Sequence, residues 1–365
     1  MMIPGRKKAA KGDGRLLLPD ILKGFAIVLV IVGHCIQETN GMAYSSATLF
    51  FQNKVYQFIY SFHMPLFMLI CGYFSYVGVS KAKTVKGKVL CIWRKVYTCL
   101  IPVYFWTAME VARACYYNSK QDGWQFRFGP VFKAYLKLCP KNFWFLWAVL
   151  ICFLVTFIIH FVFKDSFIVY GILYIVMFFL PDSNNMNVYE FMLPFFVAGF
   201  LYKKYEEGDR VKRCKDFYFK HRLAVLLGAA LAFALLFLVY NDKILIYVSG
   251  YNIHNANPVK MVGADVYRMV IGFVGSLFFI LLFDCIKNRF GNFHFPVLTA
   301  MGKVSMGMYI IQTYIILLVI KPYTLDNTYS LARSVEFGLV ASAGSLILAY
   351  LLSIIPVIKY SVGKR

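Results

Sequence analysis

Ten apolar stretches alternate with short polar connections along the 365-residue chain. They fall near 19–37, 55–78, 96–116, 142–163, 166–181, 188–203, 222–241, 264–285, 297–320 and 335–358. Most run to about 20 residues, the helix length that crosses a hydrocarbon core of roughly 30 Å. The fifth and sixth are the shortest. Backbone in lipid must satisfy its own hydrogen bonds, so spans of this length are helices. The pattern predicts an all-α fold, a polytopic transmembrane helical bundle of about ten spans. No repeat or low-complexity tail interrupts it. One transmembrane domain is therefore expected over 19–358, between a basic N-terminal tail at 1–18 and a short tail at 359–365. Basic residues followed by an apolar run also resemble a signal peptide. Asp20 and Lys23 stand at the base of that run, however, and no small-x-small cleavage site follows. It is read as a retained first helix.

Composition agrees. Apolar residues make up 60 % of the chain and charged ones 15 %, against about 25 % charged in soluble domains. The surplus apolar surface must face lipid. A net charge of +22 would suit a nucleic-acid partner if the cations formed one stripe. They lie instead in short clusters between the apolar runs, which excludes nucleic acid and matches the positive-inside rule. With the N-terminus inside and the spans alternating, inside segments hold 25 Lys and Arg against 12 outside. That places both termini in the cytoplasm, in a multi-pass protein of the inner (plasma) membrane surrounded by membrane lipid. Six basic residues between Arg113 and Lys141 dissent, and would suit an entrance for an anionic substrate. The nine cysteines lie mostly within apolar runs without a C-x-x-C pair, and read as reduced thiols. No metal site is expected.

Ionisable groups inside spans are costly and point to function. Asp20, Lys23 and His34 fall in the first span, PDILKGFAIVLVIVGH. At about 100° per residue, His34 lies within roughly 20° of Lys23 and 40° of Asp20, and about 16 Å above Lys23. One reading makes Asp20 and Lys23 an interfacial i, i+3 pair with His34 a packing histidine; the other makes all three one functional face. In the second span His63 precedes Met64–Pro65, and Pro65 is expected to kink the helix. His63 is then either bonded to backbone at the kink or facing a cavity. Trp144 and Trp147 suit an interfacial belt better than stacking platforms. Glu190 is a solvated loop acid or a substrate contact. His160, His221, His254 and His294 show no partner pattern. There is no nucleophile elbow, zinc-protease motif or phosphate loop, which leaves histidine chemistry.

Four stretches, DILKGFAIVLVIVGH (20–34), FIYSFHMPLFMLICGY (58–73), FWFLWAVLICFLV (143–155) and MGKVSMGMYIIQ (301–312), resemble the acyltransferase-3 membrane acyltransferases. Within that family they are similar to the branch of fucose 4-O-acetylases. LPFFVAGFLYKK (193–204) adds a softer match. The resemblance implies a ten-helix bundle moving an acyl group, usually acetyl from acetyl-CoA, to a hydroxyl of a glycan or lipid-linked sugar. Lys23 and His34 match the family's basic-x10-histidine element, and Phe62, His63, Met64 and Pro65 its F-H-M-P element. Two positions depart from it. Lys95 fits the first basic residue of the third-helix entry, but Thr98 occupies the second, with Arg94 available beside it. The late Tyr-x-x-His is here Tyr309 followed by Gln312, which leaves His34 as the better base.

The resemblance, with the residue reading, implies His34, His63 and Asp20 as catalytic candidates. A sugar hydroxyl needs a base near neutral pH, and an imidazole titrating near 6.5 suits this. His34 is expected to act as general base, with His63 orienting substrate or stabilising the oxyanion. Lys23, Arg94 and Lys95 are expected to hold the phosphates of acyl-CoA. A transporter or flippase using the same histidines as a proton relay is the alternative, although the inverted repeats that would favour it are not seen. A non-catalytic glycan-assembly partner is a third reading.

Overall fold

The computed structural model describes residues 17–39, 49–121, 123–180, 185–246, 257–289, 295–323 and 330–363. All ten apolar stretches fall on helices. In chain order these are α1 (Leu17–Thr39), the short α2 (Leu49–Gln52), α3 (Lys54–Val79), α4 (Val85–Asn118), α5 (Phe128–Leu138), α6 (Trp144–Val162) and α7 (Phe167–Met177). They continue as α8 (Met186–Tyr205), α9 (Asp209–Lys220), α10 (Arg222–Val239), α11 (Pro258–Arg289), α12 (Pro296–Lys303), α13 (Ser305–Ile315) and α14 (Leu331–Ile354). Among the described residues, eight helical segments are long and apolar enough to cross a membrane; α7 is shorter. The all-helical, polytopic bundle is thus the observed architecture.

Two boundaries differ from the hydropathy pattern. The α4 helix begins at Val85, where the Thr84 hydroxyl caps it by accepting from Gly87 N at 3.1 Å. Lys86, Lys88, Arg94 and Lys95 therefore ride on its first turns rather than in a loop. The ninth stretch is broken at Val304: α12 runs antiparallel to the base of α1, and the chain turns before α13. α3 passes through Pro65 as one continuous helix.

Membrane helices associate through small residues that let backbones touch. A β-carbon on Gly302 would lie 1.8 Å from the Asp20 carbonyl oxygen, and one on Gly24 would lie 1.9 Å from that of Leu298. The same device joins α3 to α8, where a β-carbon on Gly72 would lie 1.9 Å from Phe196 O and one on Gly199 would lie 1.9 Å from Leu69 O. An aromatic core fills the space between α1, α3, α10 and α11, with Phe62 stacked on Phe279 at 4.3 Å and Phe25 tilted against Phe279 at 4.9 Å. By contrast, α10 leaves Leu223, Leu227, Leu231 and Leu235 exposed on its outer face, as a lipid-facing helix must.

The α1–α12 contact yields an expectation. Overpacking typically costs about 1–3 kcal/mol, and Gly302→Val sets a branched side chain against backbone, which yields less than a flexible side chain. The variant should lose most of its monodisperse detergent-solubilised fraction on size exclusion. Gly129→Ala, where nothing lies within 4 Å, should behave as wild type; equal profiles for the two would remove the seam from the account.

Candidate functional site

α1 and α3 meet at Gly33, where an added β-carbon would lie 2.7 Å from the Tyr60 ring. This close approach brings the two histidines into one neighbourhood. His34, the residue after Gly33, keeps some accessible surface and hydrogen-bonds the Gln37 side chain. His63 lies near enough on α3 for the charge state of His34 to act on it. The His34 ring therefore faces the bundle, not lipid. His63 itself is 1 % exposed. Its Nδ1 lies 2.6 Å from the Ile59 carbonyl oxygen. A carbonyl only accepts, so Nδ1 carries the proton and Nε2 of the neutral ring keeps its lone pair. The ring also meets Tyr60 edge-on at 4.7 Å. Tyr309 is in the same neighbourhood, close to Tyr60 and Tyr189 and 5.7 Å from the Phe145 ring. One turn on, Gln312 is buried, and its Oε1 has no hydrogen-bond partner among the described residues.

At the base of α1, Asp20 Oδ1 and Lys23 Nζ form an i, i+3 ion pair at 2.7 Å. Asp20 is buried under the α12 backbone and Lys23 is half-buried, with its ammonium 5.4 Å from the Phe74 ring centre. Lys95 approaches from α4, donating to Ser75 Oγ at 3.3 Å and lying 5.4 Å from the Phe153 ring centre. Cys71 on α3 senses both lysines, so Lys23 and Lys95 converge on one patch of α3. Arg94, about 100° round α4 from Lys95, is exposed and stands off that face.

Several polar groups carried more than the sequence reading assigned. Glu190, placed in a loop or beside one, is 1 % exposed within α8; it is not a solvated acid. Trp147 Nε1 donates to Cys139 O at 3.0 Å and both Trp144 and Trp147 pack on the core. His160 has a partner after all: its Nδ1 meets Asp165 Oδ2 at 2.6 Å, where Lys204 Nζ also binds at 2.6 Å. Burial pushes the Asp165 carboxyl up, but the His160 and Lys204 hydrogen bonds outweigh it and hold the group below the usual carboxylate range. This clip fastens the α6–α7 turn, with Lys164 and Asp165 at φ 53° and 59°, onto α8. His221 joins α9 to α10 with its ring 4.9 Å from Phe217. His254 and His294 lie outside the described residues.

Sequence reasoning missed Asp265 and Arg268. Both are buried in α11, and the guanidinium pairs with Asp265 Oδ1 and donates from Nε to the Ile244 carbonyl. Arg268 lines a cavity of about 10 Å³ with Tyr60, Ser61, Tyr240 and Leu245, room for about one water. A charged pair inside a span was the signal available. It sat at the edge of an apolar run, where charge is usually interfacial.

Comparison with known proteins shows the family. The acyltransferase-3 family, whose model is described as an acyltransferase domain, matches residues 18–355. Nodulation protein NolL of Sinorhizobium fredii (strain NBRC 101917 / NGR234) is 25 % identical over 265 residues, covering 70 % of this chain and 65 % of the relative. NolL of Mesorhizobium japonicum (strain LMG 29417 / CECT 9101 / MAFF 303099) is 26 % identical over 215 residues, covering 55 % and 53 %. The chain thus spans less than two thirds of the length of these curated relatives. No solved structure matches. With a match over nearly the whole helical region, the chain belongs to the acyltransferase-3 family.

Proposed function

We propose that this multi-pass membrane protein is an O-acyltransferase of the inner membrane, with both termini in the cytoplasm. It moves acetyl from acetyl-CoA to a hydroxyl of a cell-surface or lipid-linked glycan. The observation that carries this is the pair of neighbouring imidazoles, His34 on α1 and His63 on α3, with Lys23 at the base of α1 and Lys95 of α4 meeting on the same α3 helix. The patch supplies cations for the donor's phosphates by charge-assisted bonds. Asp20 holds Lys23 in place, and Arg94 supplies a further cation outside the patch. His34 takes the acceptor's proton as its oxygen bonds to the thioester carbonyl carbon. The C–S bond then breaks, and the thiolate leaves with that proton. The His63 tautomer favours the orienting role: Nε2 of the neutral ring accepts from a second hydroxyl of the acceptor, beside the one that gives its proton to His34, whereas an oxyanion would need a donor.

Two measurements test this together. Purified protein should release free thiol from acetyl-CoA, which a transporter would not do. Mass spectrometry of cell-surface glycans should show one acetyl lost per repeat unit when the gene is removed. A lost charge-assisted bond costs about 1.5–3 kcal/mol, so Lys95→Ala should raise KM for acetyl-CoA about 10- to 100-fold. Unchanged glycans would end the glycan assignment, and an unchanged KM the placement of the donor.

A further inference from the structure

The last turn of α1 carries a carboxylate where helix electrostatics disfavour one. Glu38 is the penultimate residue of the helix, at the negative end of its macrodipole, and no basic residue stands in that turn to offset it. It follows His34 by four residues, so the two side chains share one face of α1 about a turn apart. The Glu38 charge acts on the His34 ring, which is also held by Gln37. Opposite this turn, the chain leaving α13 passes through the π-helical segment Ile316–Ile320, a form frequent at functional sites. Lys321 comes next, and its Nζ donates to Glu38 Oε2 at 3.0 Å. The two side chains are 44 % and 30 % exposed, and pairs so exposed contribute little stability. What the pair supplies is charge beside an imidazole.

We propose that Glu38 is the electrostatic positioning partner of His34, stabilising the imidazolium that forms when the ring takes the acceptor's hydroxyl proton, and that Lys321 tempers that charge. This rests on His34 being the base. The proton moves from the hydroxyl oxygen to the imidazole nitrogen and on to the departing thiolate; Glu38 exchanges none, as the aspartate of a Ser-His-Asp triad exchanges none. Among the described residues, His63 on α3 also acts electrostatically with this ring, Tyr60 packs against the adjoining Gly33, and Cys35 in the same turn senses the Glu38 charge.

The test is thiol release from acetyl-CoA by the full-length protein, with kcat/KM followed against pH. In Glu38→Gln the acid limb should move about one pH unit down, with about a tenfold loss of kcat/KM on the plateau, one pH unit being one factor of ten. In Lys321→Met the limb should move up. Both substitutions break the same ion pair, so a merely structural latch would alter both variants alike. Shifts in one direction, or none, overturn the proposal. Glu38→Asp, which keeps the charge, should restore the wild-type limb. A His34→Ala variant separates the two failures: full thiol release there removes the base assignment and this proposal with it. Lost release with coincident Glu38→Gln, Lys321→Met and wild-type profiles removes the Glu38 role alone.

Discussion

Replacing His34 by alanine is expected to lower acyl transfer about 10²–10⁴-fold, the contribution of a well-placed general base. The protein should still reach the membrane. The imidazole keeps accessible surface and bonds to Gln37 on its own helix, so its loss opens no cavity in the packed interior. The measurement is thiol release from acetyl-CoA beside the size-exclusion profile of the solubilised variant. Normal release from a well-folded His34→Ala protein would leave the mechanism without its base. His63→Ala is a poorer probe. It empties a fully buried site, removes the bond to Ile59 and strips Tyr60 of its ring contact, so activity and fold would fall together.

Asp265→Ala should be the most damaging substitution away from the histidines. Arg268 is 2 % exposed and is neutralised by Asp265. Removing one member of a buried pair leaves an uncompensated charge and costs about 3–5 kcal/mol. Replacing both members by apolar residues of similar size is often neutral. Thermal unfolding in detergent should therefore show a large drop for Asp265→Ala and a partial recovery for Asp265→Leu/Arg268→Met. A double variant less stable than the single would show that the pair holds the Asp242–Ile244 turn in some way charge balance does not explain.

Much of the bundle was legible from hydropathy, because lipid enforces helices of a set length wherever apolar residues run for 20 positions. Where helices project beyond the hydrocarbon, hydropathy loses them. The basic turns of α4 and all of α9, with five Lys and Arg in twelve residues, read as connections because water, not lipid, surrounds them. The break at Val304 was hidden inside one apolar stretch. At the site, the i, i+11 spacing of Lys23 and His34 was visible because one helix carries both. Partners from other helices were not. Lys95 and Arg94 are neighbours in sequence, and only packing distinguishes the one that meets Lys23. Glu38 read as the start of an outer loop until the helix was seen to include it.

The glycine contacts have a consequence for substrate range. α1 and α3, which carry the histidines, are each clamped backbone-to-backbone against a third helix, at Gly24 and Gly302 on one side and at Gly72 and Gly199 on the other. Side chains rearrange cheaply; touching main chains do not slide. If members of the family differ in acceptor, they are then expected to share the imidazole separation and to differ in the segments joining the helices. Exchanging those segments should move acceptor choice from one member to another while the reaction centre stays fixed.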